Sequence, residues 1–345
     1  MYNKILGGLI GAAAGDAMGA ATEARSIEQI MEYFGHEVTD FEVPPMDTFG
    51  AGNKAGQVTD DFSSAYFVAR KIVEAGGKVT EQAIKDALIE WSKHSVFFDR
   101  FAGPTTRLAI REFEGKLDEN SGKTALATRQ ATNGSAMRIS PIGLLNPGNL
   151  DAAISDAAKV TMLTHDNYLS ISGACAVAAA VSRAMMDDAD VYNVIRSGLY
   201  GAIEGEKLGR KIGRDAAGPS VVKRMELAIE IGFGKGTPRE KMVEIAERIG
   251  TGLHISEAVP SAFGIFAANN GDAMGTIIGC VNAGYDTDTL ATIAGGIAGA
   301  LCGADSFPEH FLPTLEEANG LDIQGLAKGI EQICYKKMAN MFGGK

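Results

Sequence analysis

Four cysteines are few for 345 residues, and Cys175, Cys280, Cys302 and Cys334 form no C-x-x-C pair. Neither a disulfide framework nor a cysteine-held zinc has its usual spacing, so all four read as free core thiols of a reducing compartment. Positive charge is also short: 32 Lys+Arg against 43 Asp+Glu leave a formal net charge of −11. Such a chain lacks the overall field that draws proteins to phosphate backbones or anionic lipid, and neither nucleic acid nor membrane is expected as a partner. Long apolar runs are missing too. The uncharged stretch from Thr289 to Ala304 is mostly Ala and Gly and falls short of the ~20 residues that a bilayer needs. After Lys4 the run ILGGLIGAAAG imitates a secretory signal, but Asp16 and Glu23 interrupt it and the same texture recurs at Gly295-Gly296-Ile297-Ala298-Gly299-Ala300. The expectation is a cytoplasmic protein.

Strand-length alternation of β-branched residues is nearly absent, whereas helical periodicity runs almost throughout. After Asp61, apolar Phe62, Ala65, Tyr66, Ala69, Ile72 and Val73 recur at i, i+3, i+4 and i+7 until Gly76-Gly77 ends the pattern. Thr80 then offers an N-cap to a second helix with Ala83, Ile84, Ala87, Leu88 and Trp91 on its apolar face. Similar patterns are expected over 151–163, 168–186, 190–207, 219–231, 238–250, 257–269, 272–281, 288–302 and 323–341. The sum is an all-α protein of about a dozen helices, taken as a single domain over 1–345. The 43 glycines fall among alanines rather than in a G-X-Y period, which indicates close backbone packing. Residues 35–57, with Pro44-Pro45, form a long connection of the kind that serves as a functional loop or lid, while 115–124 and the basic 207–218 read as exposed loops.

Two acidic clusters stand apart from this pattern. Thr59-Asp60-Asp61 begins one helix and Asp286-Thr287-Asp288-Thr289 begins another. A carboxylate at a helix start has an ordinary explanation as a cap for unpaired N–H groups. Capping needs one short polar side chain, however, and each cluster brings two carboxylates plus threonine hydroxyls. If the two helix starts converge, four carboxylates repel one another and require cations to offset them. Two divalent ions would do so. The donors are all oxygen, with no His or Cys in either cluster, which suits Mg²⁺ or Mn²⁺ rather than structural zinc. Paired ions of this kind can orient a diol or activate a water.

These clusters occur in order with Gly11-Ala12-Ala13-Ala14-Gly15-Asp16-Ala17-Met18-Gly19 and Glu23, Ala55-Gly56-Gln57-Val58-Thr59-Asp60-Asp61, Gly103-Pro104-Thr105-Thr106-Arg107, Asn133-Gly134-Ser135-Ala136-Met137-Arg138, Thr164-His165 and Asn282-Ala283-Gly284-Tyr285. In this combination the chain resembles the ADP-ribosylglycohydrolases, which include the dinitrogenase reductase-activating glycohydrolases. The resemblance implies an all-helical domain with a binuclear Mg²⁺ or Mn²⁺ centre that cleaves a glycosidic bond at ribose C1. It implies metal ligands at Thr59, Asp60, Asp61, Asp286, Asp288 and Thr289, and an acidic residue, Glu23, reaching the pocket from the N-terminal loop. Asn133, Gly134, Ser135 and Met137 correspond to a loop touching ribose and phosphates, and His165 to a histidine lining the cleft; Tyr285 and Phe101 complete the substrate candidates. Glu23, Asp60 and Asp288 are the catalytic candidates, Glu23 to orient the attacking water or pass a proton. Asp16 is expected to brace the first helix, and Arg107 and Arg138 to meet phosphate or form structural ion pairs.

Departures fall where specificity lies. Phe62 follows the Thr-Asp-Asp run where family members acting on ADP-ribosylated proteins commonly carry threonine. Phe101-Ala102-Gly103 stands in place of an Asp-Ile-Gly whose Asp has been proposed as a general base. Phe62 lies about 100° round its helix from Asp61 and shares the core face of Ala65 and Tyr66, whereas Phe101, ahead of Gly103-Pro104, is placed in the cleft. The expected activity is therefore metal-dependent hydrolysis at ribose C1 of an ADP-ribosyl adduct, on a protein side chain or a small molecule. A hydrolase of free nucleoside-like ribosyl compounds is the alternative, and a non-catalytic crystallin-like relative the third; the intact acidic clusters count against that last reading.

Overall fold

The computed structural model describes residues 1–117 and 131–342; residues 118–124 of the expected 115–124 loop lie outside the described residues. Every named element among them is helical. In chain order these are α1 (Tyr2–Gly19), α2 (Ile27–Phe34), α3 (Asp60–Glu74), α4 (Glu81–Trp91), α5 (Ser95–Phe101), α6 (Pro104–Phe113), α7 (Ser140–Leu144), α8 (Leu150–Met162) and α9 (Tyr168–Ala184). There follow α10 (Val191–Ile212), α11 (Val221–Gly232), α12 (Pro238–Arg248), α13 (Ile255–Ala268), α14 (Ala273–Val281), α15 (Thr287–Cys302), α16 (Phe311–Asn319) and α17 (Ile323–Phe342). Only isolated bridges, Thr132 with His254 and Asn167 with Arg214, replace strands among the described residues. No helix among them is long and apolar enough to cross a membrane.

Local chemistry sets many of the helix starts. Thr80 accepts the Ala83 N–H at 3.2 Å, and Thr237 with Glu240 forms a reciprocal capping box at α12. Two expectations are corrected. The basic segment from Lys207 continues α10 to Ile212, because Glu206 pairs with Arg210 one turn on and Gly209 packs against Tyr168. Cys302, at the last position of α15, is exposed, whereas Cys175, Cys280 and Cys334 are buried; all four are free.

The fold is organised about α1 and α15. Gly7, Gly11, Gly15 and Gly19 recur every four residues along one face of α1. A methyl group on any of them would lie under 3.0 Å from backbone of Gly299, Gly295, Ala291 or Asp288. Gly295 and Gly299 meet Gly11 and Gly7 reciprocally. Glycine is needed here because the two backbones touch, with no room for a side chain between them. Both helices are buried along nearly their whole length. This contact fixes the register of the pair, and its last step sets Gly19 against Asp288, at the mouth of the acidic cluster.

Candidate active site

Four segments meet where α1 ends and α3 and α15 begin: the loop after α1, the first turns of the two helices, and a single 3-10 turn at Asn133–Ser135. Asp16, fully buried on α1, spans to α3 instead of bracing its own helix. Its Oδ1 accepts the Thr59 N–H and its Oδ2 the Phe62 N–H, each at 2.8 Å. Asp16 thus caps α3 from outside. Thr59 receives the Asp61 N–H at 3.4 Å, and its buried hydroxyl lies against the Asp16 and Asp288 carboxylates. Asp286 holds the N-cap position of α15 but makes no side-chain cap bond; it accepts a hydrogen bond from the Asn133 amide instead. Asp288 accepts the Thr289 N–H at 2.9 Å. The acidic residues are therefore largely released from capping, and Asp61 Oδ2 is buried with no partner among the described residues.

Asp61, Asp286 and Asp288 line a cavity of about 300 Å³, with Asp16 and Thr59 buried outside its lining. Glu23, Asp286 and Asp288 each offer a carboxylate oxygen within 4.8 Å of the others, and Asp60, Asp61 and Thr289 share the same wall. Burial, then the mutual repulsion of these carboxylates, pushes Glu23 up to about 10 and Asp60 up to about 7. Asp61 and Asp286 rise well above the ordinary range for the same two causes in the same order. Asp288 is raised by burial. An orphaned carboxylate oxygen and a crowded all-oxygen donor set fit a hard divalent cation, which relieves both the repulsion and the unmet lone pairs.

The rest of the lining comes from Phe101, Gly103, Pro104, Thr105 and Thr106 at the α5–α6 junction and from Asn133, Gly134, Met137 and His165. The His165 ring contacts the hydroxyls of Thr164 at 2.8 Å and Thr132 at 3.0 Å, and a Cβ on Gly134 would collide with it. Burial, then the Arg138 charge, pulls His165 down to about 3, so the imidazole is neutral. No Lys or Arg lines the cavity among the described residues.

Several candidates take other positions. Ser135 is buried away from the cavity, donating to the Ser170 carbonyl at 3.5 Å. Tyr285, 55% exposed, lines a neighbouring hollow with Arg25 and Val243, its ring over Gly252. What Tyr285 brings to the site is backbone: with φ +68° it exchanges hydrogen bonds with Ala24 (φ +61°) and Arg25, clamping the Glu23 loop to the Asp286 turn. Two left-handed non-glycine residues beside the carboxylates mark stored strain of the kind functional sites hold. Arg107 donates to the carbonyls of Phe98, Asp99 and Ala102 and so closes the end of α5. Phe62 belongs to the core, while Phe101 does line the cavity. Missing from the sequence reading was Leu253, a lining residue exposed by 54%, brought in because its carbonyl accepts the Asn133 N–H at 2.9 Å. No local signal in the sequence pairs those two segments.

A family-wide profile described as ADP-ribosylglycohydrolase matches residues 1–340. Human ADP-ribosylhydrolase ARH3 is 26% identical over 361 residues, covering 97% of this chain and 94% of its own length. The ADP-ribosyl-dinitrogen reductase glycohydrolase of Rhodospirillum rubrum is 25% identical over 327 residues, covering 92% and 91%. A solved chain titled ADP-ribosylglycohydrolase-related protein complex superposes with a TM-score of 0.67 at 20% identity, over 96% of this chain and 98% of that one, a likeness of fold. With the glycine-packed helix pair and the acidic cavity it positions, the chain belongs to the ADP-ribosylglycohydrolase family.

Proposed function

We propose that this protein is a metal-dependent glycohydrolase that cleaves an ADP-ribosyl adduct at ribose C1, with the whole chain acting as one domain. The observation that carries the reading is the convergence of Glu23, Asp286 and Asp288 within 4.8 Å, beside Asp60 and the orphaned oxygen of Asp61. The printed names of the relatives in human and Rhodospirillum rubrum support the ADP-ribosyl part.

Asp60, Asp61, Asp286, Asp288 and Thr289 would hold the divalent cations, two of them by charge balance, with Mg²⁺ or Mn²⁺ suited to the oxygen donors. Bound there, such ions supply Lewis acidity and neutralise charge. Thr59 underlies the site by fixing Asp61 and Asp288. Glu23, beside Asp286 and Asp288 in the cavity, is the proton carrier of this reading: protonated it would give a proton to the leaving group, and ionised it would take one from water. As the C1 bond stretches, the ribose ring gains positive charge, and the carboxylate wall stabilises it. Asn133 orients Asp286 while its turn offers backbone at Gly134 to the substrate; Met137, Phe101 and the neutral His165 shape the rest of the lining.

A second reading, a hydrolase of nucleoside-like ribosyl compounds, draws on the aromatic Phe101 wall and on the lack of a basic side chain lining the cavity among the described residues. A turnover panel with Mg²⁺ and Mn²⁺ decides: ADP-ribosyl-arginine, ADP-ribosyl-serine, O-acetyl-ADP-ribose, ADP-ribose-1″-phosphate and a set of nucleosides. Release of ADP-ribose from at least one adduct is expected. Turnover of nucleosides alone, with no gain from the diphosphate, transfers the assignment to the second reading.

A further inference from the structure

We propose that Arg138 is the cavity's built-in counter-ion, a positioning residue whose buried guanidinium holds the Asp60–Asp61 end of the acidic cluster in place. Arg138 is 1% exposed, yet it makes one protein hydrogen bond, from Nη2 to the Thr106 hydroxyl at 3.1 Å. Its Nε and Nη1 have no partner among the described residues. Burying an arginine that way is costly unless something nearby needs the charge.

Its surroundings supply that need. The charges of Asp60 and Asp61, which line the same cavity as Thr106, favour its charged form, while Thr106 on α6 and the ring of His165 are neutral. In the other direction, Arg138 and then Arg107 draw down the Asp60 carboxyl that burial and Asp288 push up. The other buried basic side chain among the described residues, Arg25, is spent on Asp47 at 2.6 Å. Arg138 sits behind Thr106 and Gly134, which line the cavity, so it acts through the wall and the field rather than by touching substrate. It also differs from Arg107, whose guanidinium is committed to the α5 carbonyls.

Thermal denaturation of the EDTA-treated full chain tests this without any metal. Arg138→Met should lower Tm by about 5 °C or more. Its cost should fall to under half in an Asp60→Asn background, and Arg138→Lys should keep more than half of the stability. If Arg138→Met alone fails to fold, recovery of folding in Arg138→Met/Asp60→Asn is the same expected result. Additive losses, a double variant that stays unfolded, or a lysine variant as damaged as the methionine one would reduce Arg138 to packing and overturn the proposal. A second measurement joins this inference to the cation-site reading: Mn²⁺ titration of Arg138→Met should give a weaker affinity than wild type, because the Asp60 and Asp61 carboxylates are no longer held in place. An affinity equal to or tighter than wild type would show that Arg138 does not position them and contradicts the proposal. Absence of Mn²⁺ uptake by the wild type would sink the cation site while the thermal cycle still decides for or against Arg138.

Discussion

Along α15 the C-terminal half packs Gly295 and Gly299 against Gly11 and Gly7, whereas the first turn sets Asp286 and Asp288 beside Glu23, Asp60 and Asp61. One end gains from close backbone contact and carries no charged residue from Gly295 to Cys302. The other gathers buried carboxylates with raised pKa values, an orphaned oxygen and two left-handed residues. The tight end makes the costly end possible: the ladder closes on Gly19 against Asp288, so packing precision is delivered to the place where charge is crowded. Stability is concentrated in one half of the helix and given up in the other, as expected where a site needs groups that folding alone would reject.

If the two ends are separable in this way, substitutions should divide cleanly. Asp286→Ala should reduce turnover at least about 1,000-fold, roughly 4 kcal/mol of transition-state stabilisation, while far-UV circular dichroism stays near wild type. Near-normal turnover in that variant would show that the acidic end has been assigned wrongly. Gly11→Val should do the opposite, destabilising by about 3 kcal/mol or more through a clash with the Gly295 backbone, read from urea denaturation. A stable Gly11→Val protein would remove the ladder from the account.

Part of the tight end was legible in sequence, because glycines set among alanines indicate close backbone packing, whereas the every-fourth-residue spacing that fits α1 to α15 emerged only from the contact itself. The acidic clusters were legible as well, since two carboxylates at one helix start exceed what a cap requires. What stayed hidden depended on contacts between distant segments. Asp16 caps α3 across 43 residues, which no local pattern encodes. Tyr285 is named by its motif, yet its left-handed backbone sends the ring to another hollow and leaves the main chain to brace Glu23. Lys207 to Ile212 reads as a loop from its charge, but i,i+4 pairing keeps it helical.

The pH response sharpens the contrast further. Carboxyls whose folded pKa exceeds the unfolded one favour folding when protonated, so their support is present at low pH and lost as pH rises. For Asp60 that loss runs from 3.8 to about 7, and for Glu23 from 4.5 to about 10. The EDTA-treated protein should therefore show a falling Tm between those limits, and saturating Mg²⁺ should flatten the fall because the cation prefers ionised carboxylates. An unchanged slope with metal present would contradict this. A smaller effect is expected at the wall: Phe101→Asp should shift relative kcat/KM toward ADP-ribosyl adducts, with metal affinity held within about tenfold, ~1.4 kcal/mol. Constant ratios across the substrate panel would show that Phe101 does not select.

The acidic end of α15 is tested most directly by metal titration of the dialysed protein, with calorimetry and elemental analysis run on the same sample. The account predicts uptake of two Mg²⁺ or Mn²⁺ per chain, by ligands that include Asp286 and Asp61, with uptake reduced in Asp286→Ala and Asp61→Asn. No uptake at millimolar concentrations of either ion, or a tightly held zinc that depends on cysteine, would contradict it.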